Sequence, residues 1–183
     1  MGDGYHHGDL RRALLDEAVR AISDSGVGAL SLREVARRAG VSHAAPAHHF
    51  GDRRGLMTAL AADGLRLLAE ELGASVERGF DETAVAYVRF ARDRPGHYAV
   101  MHRPELVDAA APELVEARAA ASARLAAGVR SIPAARRRHV TEEQAAQAAW
   151  ALVHGLASLA AEGAVPADDV EELTRSSARQ LFG

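Results

Sequence analysis

The chain has no cysteine and no lysine, and its 183 residues include only four phenylalanines, three tyrosines and one tryptophan. Without cysteine there are no disulfides, no thiolate catalysis and no cysteine-ligated zinc, and nothing opposes a reducing compartment. No run of about 18 apolar residues is present, so no membrane-spanning helix is expected. The opening MGDGYHHGDLRR also lacks the apolar stretch of a secretory signal. These absences together predict a cytoplasmic location. Also missing are a Gly-rich phosphate loop after a strand, a Gly-x-Ser-x-Gly elbow and a His-Glu-x-x-His pair, so neither enzymatic activity nor a cofactor is expected. All 22 basic residues are arginine. Phosphate recognition would use them, although codon bias in an alanine-rich chain accounts for the same pattern.

What is there describes a folded protein. The chain is 48% hydrophobic and 26% charged, and it is long enough to bury one large core or two small ones. The net charge is −3, but it is unevenly spread. Residues 31–55 hold Arg33, Arg37, Arg38, Arg53 and Arg54 against only Glu34 and Asp52, whereas residues 61–183 hold 14 arginines against 18 acids. A small cationic surface on an acidic body follows.

Helical periodicity runs through the sequence, and no segment reads as a strand, so an all-α fold of about nine helices is predicted. Leu10, Leu14, Ala18 and Ile22 form one stripe over residues 9–24. Ser31-Leu32-Arg33-Glu34 reads as a capping box, followed by a two-turn helix with Leu32, Val35, Ala36 and Ala39 on one face. Gly40 suits a left-handed helix end. Ser42 is placed as the cap of a second short helix running to about His49, and Asp52 as the cap of a long one reaching roughly Arg78. Two short helices joined by a glycine turn over residues 31–50 fit a helix-turn-helix, whose second helix can enter the DNA major groove. On spacing alone, an ordinary αα-corner fits equally well.

Tyr5-His6-His7-Gly8-Asp9-Leu10-Arg11, Ser31-Leu32-Arg33-Glu34-Val35-Ala36-Arg37-Arg38-Ala39-Gly40-Val41-Ser42, His49-Phe50 and Leu56 together resemble the N-terminal domain of TetR-family regulators, almost without gaps from residue 5 to about 70. Downstream, Arg94-Pro95 and Trp150-Ala151-Leu152-Val153-His154-Gly155 resemble the Trp-x-x-x-His-Gly motif of one C-terminal class in that family. The resemblance implies a homodimer that binds a palindromic operator on double-stranded DNA and releases it when a small ligand enters the C-terminal part. It also implies a DNA-binding domain at 1–51 and a regulatory and dimerisation domain at 52–183, linked by the long helix 52–78. One departure stands out. Ala47 occupies the place of an aromatic, most often tyrosine, that commonly touches the DNA backbone in the family. A degenerate member acting through protein or ligand binding is therefore the alternative reading.

Ser42, His43 and Ala44 open the recognition helix, where base edges are usually read. His48 is its exposed position, His49 and Phe50 lock it to its neighbours, and Ser31, Arg33, Arg53 and Arg54 suit phosphates; a solvated charged face is the plainer reading of each arginine. Pro46 lacks an N–H but falls near the end of the first turn, where the loss is small. His6 and His7 have no third ligand at a metal-site spacing, which favours an N-terminal arm over a metal site.

Prolines 95, 104, 112, 133 and 166 punctuate five further helices at 80–93, 95–102, about 112–130, 141–163 and 167–181. Thr141-Glu142-Glu143-Gln144 is a second capping box. Beyond it Ala145, Ala149, Leu152, Leu156 and Leu159 form one face, with Trp150, Val153 and Ala157 opposite. A helix apolar on nearly every side needs cover on both. Pairing it with the last helix (Val170, Leu173, Ser177, Leu181) across a two-fold axis supplies that cover, and places Ala149, Leu152, Leu156, Leu159, Val170, Leu173 and Ser177 in a dimer interface. Tyr87, Phe90, Tyr98, Met101, His102, Trp150 and His154 are the candidates for a pocket taking a small apolar or aromatic ligand, with plain core packing as the competing reading. Gly155 is read as allowing close helix approach, and His154 as bonding a neighbouring backbone carbonyl.

Overall fold

A computed structural model describes residues 7–182 except Ala167, and of His7 and Gly8 only the backbone. The proposed N-terminal arm at His6 and His7 thus lies outside the side chains described. Among the described residues there are nine α-helices and no strand. They are α1 (His7–Ser25), α2 (Leu32–Ala39), α3 (Ala44–Phe50), α4 (Arg53–Gly73), α5 (Phe80–Asp93), α6 (Pro95–Met101), α7 (Pro112–Arg130), α8 (Glu142–Ala161) and α9 (Val170–Leu181).

The chain divides into two compact units. One holds residues 1–64 and 96–115, the other 65–95 and 116–183. In the first, α1 packs against α2 and α3, burying Leu14, Leu15, Ala18 and Ile22 on the stripe its periodicity set out. Ser31 caps α2 by accepting from the Glu34 N–H at 3.2 Å. Glu34 does not return the bond as a capping box would; its carboxylate instead accepts from Arg37 and Arg38 at 2.7–2.9 Å. Cations one turn away draw a carboxylate more strongly than a single backbone donor does. Gly40 ends α2 at φ 67°, ψ 29°. The Val41 N–H reaches back to the Ala36 carbonyl at 3.1 Å, the closure a left-handed residue permits.

Helix α3 begins later than the sequence indicated. Its N-cap is His43, with no side-chain cap, while Ser42 contributes its carbonyl to a turn with the Ala45 N–H at 3.0 Å. Pro46 is consequently the third residue of the helix, where an N–H has no intrahelical partner to lose. Asp52 does cap α4, accepting from the Gly55 N–H at 2.8 Å. That helix stops at Gly73 rather than Arg78: the buried Ser75 hydroxyl donates to the Leu72 carbonyl at 2.7 Å, and the chain turns into a short 3₁₀ segment at Val76–Arg78.

In the second unit α5 packs against both α8 and α9. It is buried nearly throughout, with Phe80, Val85, Tyr87, Val88 and Phe90 in the core. The α5–α9 seam is also electrostatic. Arg89 and Arg92 of α5 hold Glu171 of α9 at 2.6 and 2.7 Å, while Glu82 and Asp81 hold Arg175 and Arg179 at 2.9 and 3.0 Å. Each helix is acidic at its start and basic at its end, so antiparallel packing matches unlike charges at both ends. Thr141 and Gln144 form the complete capping box of α8.

Candidate nucleic-acid interface and regulatory unit

Helices α2 and α3 and the turn between them carry the residues assigned to DNA. Ser31, Arg33, Ser42, His43, Ala44, Ala47 and His48 are all exposed, whereas Val35, Ala36, Pro46 and Phe50 face inward. His49 is half-buried, its ring 5.6 Å from His48 and 6.2 Å from Phe50. Residues 42–50 contain no arginine. The cations available to phosphates therefore lie on flanking elements.

These arginines are not equivalent. Arg33 is exposed and makes no ion pair among the described residues. Arg37 and Arg38 are engaged with Glu34, which they pull down to about 2, and Arg38 also with Asp24 at 2.7 Å. Arg53 donates to the Leu30 carbonyl at 2.9 Å and the Val27 carbonyl at 2.8 Å, fastening the start of α4 to the turn before α2. Arg54 donates to the Val107 carbonyl at 2.8 Å. Sequence spacing gave no sign of these long-range backbone bonds, because the carbonyls that accept them belong to loops of no distinctive composition.

The residues put forward for a ligand fall in both units. Tyr87 and Phe90 are buried in α5, and Trp150 lies flat on His154, with ring centroids 5.3 Å apart and planes 11° apart. His154 Nδ1 stands 3.4 Å from the Tyr87 hydroxyl, which brings a phenol within reach of the imidazole. Burial holds the imidazole below its ordinary pKa and favours the neutral ring. Tyr98, Met101 and His102 belong to the other unit, where Tyr98 and His102 meet edge to face at 5.3 Å. A cleft of about 370 Å³ in the second unit is lined by other residues, among them Phe80, Ile132, Pro133, Arg136, Arg179 and Phe182.

The residues assigned to a dimer interface also divide. Ala149, Leu156 and Val170 are core residues of the protomer, while Leu152 and Ser177 are half-buried and Leu159 and Leu173 are exposed at 44% and 39%. Helix α8 turns Ala145, Ala149, Val153, Leu156 and Ala157 inward. Its other side carries Ala148, Ala151, Leu152, Gly155 and Leu159, and no acid or arginine occurs from Gln144 to Ala161. A helix apolar all round does not fix from its sequence which side faces its own core. Gly155 has open space where a Cβ would stand, so within the protomer it serves no close approach.

A buried-backed α2 followed by an exposed, capped turn and a short exposed α3 is the geometry of a helix-turn-helix DNA-binding protein. Residues 14–60 match the family model of bacterial regulatory proteins of the tetR family, and residues 80–181 that of the tetracyclin repressor-like C-terminal domain. The sequence is 32% identical over 165 residues to the HTH-type transcriptional regulator BetI of Cronobacter sakazakii, covering 81% of this chain and 74% of that protein. A solved structure of a protein of unknown function from Rhodococcus sp. RHA1 is 36% identical, with a TM-score of 0.80 over 99% of this chain and 97% of that one. The TetR family regulator PfmR from Thermus thermophilus shares the fold at 18% identity, with a TM-score of 0.67 over 92% and 96% of the two chains. The chain belongs to the TetR family: it is a DNA-binding transcriptional regulator and not an enzyme. No helix among the described residues is long and apolar enough to cross a membrane.

Proposed function

We propose that this protein is a cytoplasmic, ligand-responsive repressor that binds a palindromic operator as a homodimer. In this reading residues 1–51 meet DNA and residues 52–183 sense the ligand and dimerise. The observation that carries it is the exposed row Ser42 and His43 in the turn and Ala44, Ala47 and His48 on the short helix it leads into, whose opposite side, Pro46 and Phe50, is buried. Ser42, His43 and Ala44 read base edges, while Ser31 and Arg33 contact phosphates. His48 and His49 close the far end, and Arg53 and Arg54 hold the scaffold while adding positive charge to the same side.

The uncharged outer side of α8, with exposed Leu159 beside Leu173 and Leu181 of α9, supports a four-helix dimer contact. Trp150, His154 and Tyr87 support a ligand site in the second unit for a small apolar or aromatic molecule.

Gel shifts with DNA flanking the protein's own gene test the reading. Binding to a palindrome with half-sites about one helical turn or a multiple of it apart, weakening steeply with salt, is expected. Absence of any shift at low salt would favour the degenerate, non-operator reading that Ala47 raises.

A further inference from the structure

The cleft of about 370 Å³ in the second unit lies where three segments meet: the start of α5, the loop from α7 to α8, and the end of α9. None of Tyr87, Trp150 and His154 lines it. Its volume falls at the lower end of the range for small-molecule pockets. Phe80, Ile132, Ala178 and Phe182, all buried, build its apolar wall. The rings of Phe80 and Phe182 meet edge to face, with centroids 5.6 Å apart. A third ring can extend such a pair, because the positive edge of one ring attracts the face of the next.

The polar side of the cleft is cationic. Arg136 donates to the Phe182 carbonyl at 3.0 Å and to the Arg179 carbonyl at 3.1 Å, both at the end of α9. Those neutral acceptors hold the guanidinium in place and leave its charge uncompensated. Arg179 reaches Asp81 through Nε at 3.0 Å. Asp81 is the one acid among the described lining residues, so two arginines face a single carboxylate. Arg137 donates to the Ile132 carbonyl at 3.1 Å, which ties the loop to itself as Arg136 ties it to α9. A wall fixed in this way needs little ordering when a ligand arrives.

We infer that this cleft is a binding site for a small aromatic carboxylic acid. Its ring packs against Phe80, Ile132 and Phe182, and its carboxylate pairs with Arg136 and Arg179. The facing rings favour an aromatic body, and planar guanidinium groups match the two oxygens of a carboxylate. An inorganic anion would leave the apolar wall in water. A neutral aromatic would leave Arg136 without a counter-charge.

The chain has two isoleucines, Ile132 in the cleft and Ile22 buried in the other unit. Methyl-labelled isoleucine in the full chain therefore gives one reporting resonance and one internal control. The probes are benzoate, phenylacetate and 3-phenylpropionate at constant ionic strength, set against the matching alcohols and acetate. At least one acid is expected to shift the Ile132 methyl saturably, with a Kd of about 1 mM or tighter, and to leave Ile22 unmoved. The matching alcohol and acetate should bind about tenfold more weakly, as should the acid to Arg136→Gln and to Arg179→Gln. Arg130→Gln, which alters an exposed pair with Glu142 outside the cleft, should bind as wild type does. Arg136 also closes the end of α9, so if its variant fails to fold, the exposed Arg179 decides. An unmoved Ile132, equal binding of acid and alcohol, or full affinity in Arg179→Gln would each overturn the assignment. So would acids that shift the Trp150 indole and not Ile132, since they would belong to the Trp150–His154 stack.

Discussion

Trp150 and His154 lie face to face one helical turn apart, with the Tyr87 hydroxyl 3.4 Å from the imidazole. Trp150 is the only tryptophan in the chain, so its fluorescence reports this stack alone. Burial lowers the His154 pKa from 6.5, so the folded protein resists protonating a ring that the unfolded chain protonates readily. Stability from this group is therefore fully present above pH 6.5 and is lost as pH falls through the lowered folded value. An imidazolium accepts an electron from excited indole, so emission should drop over that same acid range. His154→Phe should keep the stack and abolish the pH dependence, as a fluorescence titration would read directly. An unchanged titration in the variant would place the quencher elsewhere.

Glu171 is held at about 2 by hydrogen bonds from Arg89 and Arg92, and Glu34 also at about 2 by Arg37 and Arg38. Both carboxylates have folded values below their ordinary one, so the stability they add is present above pH 4.5 and disappears as pH falls from there toward 2. Thermal melts between pH 7 and pH 3 should show this loss, with Glu171→Gln giving a shallower dependence. At neutral pH that substitution should cost about 1 kcal/mol, the scale of partly exposed pairs, and less in high salt. An identical pH slope in the variant would remove the α5–α9 seam from acid denaturation.

Arg33 and Arg53 should separate cleanly. Removing Arg33, which has no ion-pair partner among the described residues, should leave the melting midpoint in place and reduce the salt slope of operator binding by about 1. Removing Arg53 takes its guanidinium donor from the Leu30 carbonyl and leaves the Val27 carbonyl only the Leu30 N–H, and should cost about 1–3 kcal/mol of stability. The measurements are urea unfolding and anisotropy titrations across a salt series; an unchanged urea midpoint for Arg53→Ala would return that residue to the phosphate contacts.

Ala47 is exposed on α3, so a larger side chain meets no core there. Ala47→Tyr should tighten binding by a similar factor on operator variants, because a backbone contact carries no sequence information. Weaker binding, seen in the same titrations, would mean that the helix needs a small residue to approach the groove.

The dimer contact is best tested where the protomer leaves apolar side chains uncovered. Leu159→Glu or Leu173→Glu should yield monomers in sedimentation, since each would place an unpaired carboxylate in the contact twice per dimer, costing several kcal/mol. Leu156→Glu is a poorer choice: Leu156 is a core residue of its own protomer, and the variant should unfold. Gln147→Glu on an exposed position should change little. A monomeric wild type would remove the contact altogether.

Much of this protein was legible as sequence because its signals are local. Capping serines and threonines, proline punctuation, apolar spacing of three and four, and Gly40 each act within a few residues, so α2 and α5–α9 fall within a few residues of their expected bounds. Helix α3 begins one residue later than expected, because a polar residue before a helix marks a cap only if the backbone enters at that point. Which side of α8 faces its own core was not legible, since a helix apolar all round carries no phase. The fate of the arginines was not legible either. A free guanidinium, one paired within its helix and one bonded to a distant carbonyl read identically as a letter.

The sequence by itself determined an all-helical chain with a helix-turn-helix near its start and a capped apolar helix near its end, because hydrogen bonds and burial patterns within single helices suffice for that. Only the tertiary structure decided that Arg53 and Arg54 bind carbonyls, that Tyr87 meets His154, and that Phe80, Arg136 and Phe182 line one cleft. Those outcomes depend on which surfaces far apart in the chain come within about 3 Å, a distance set by the packing of the whole unit.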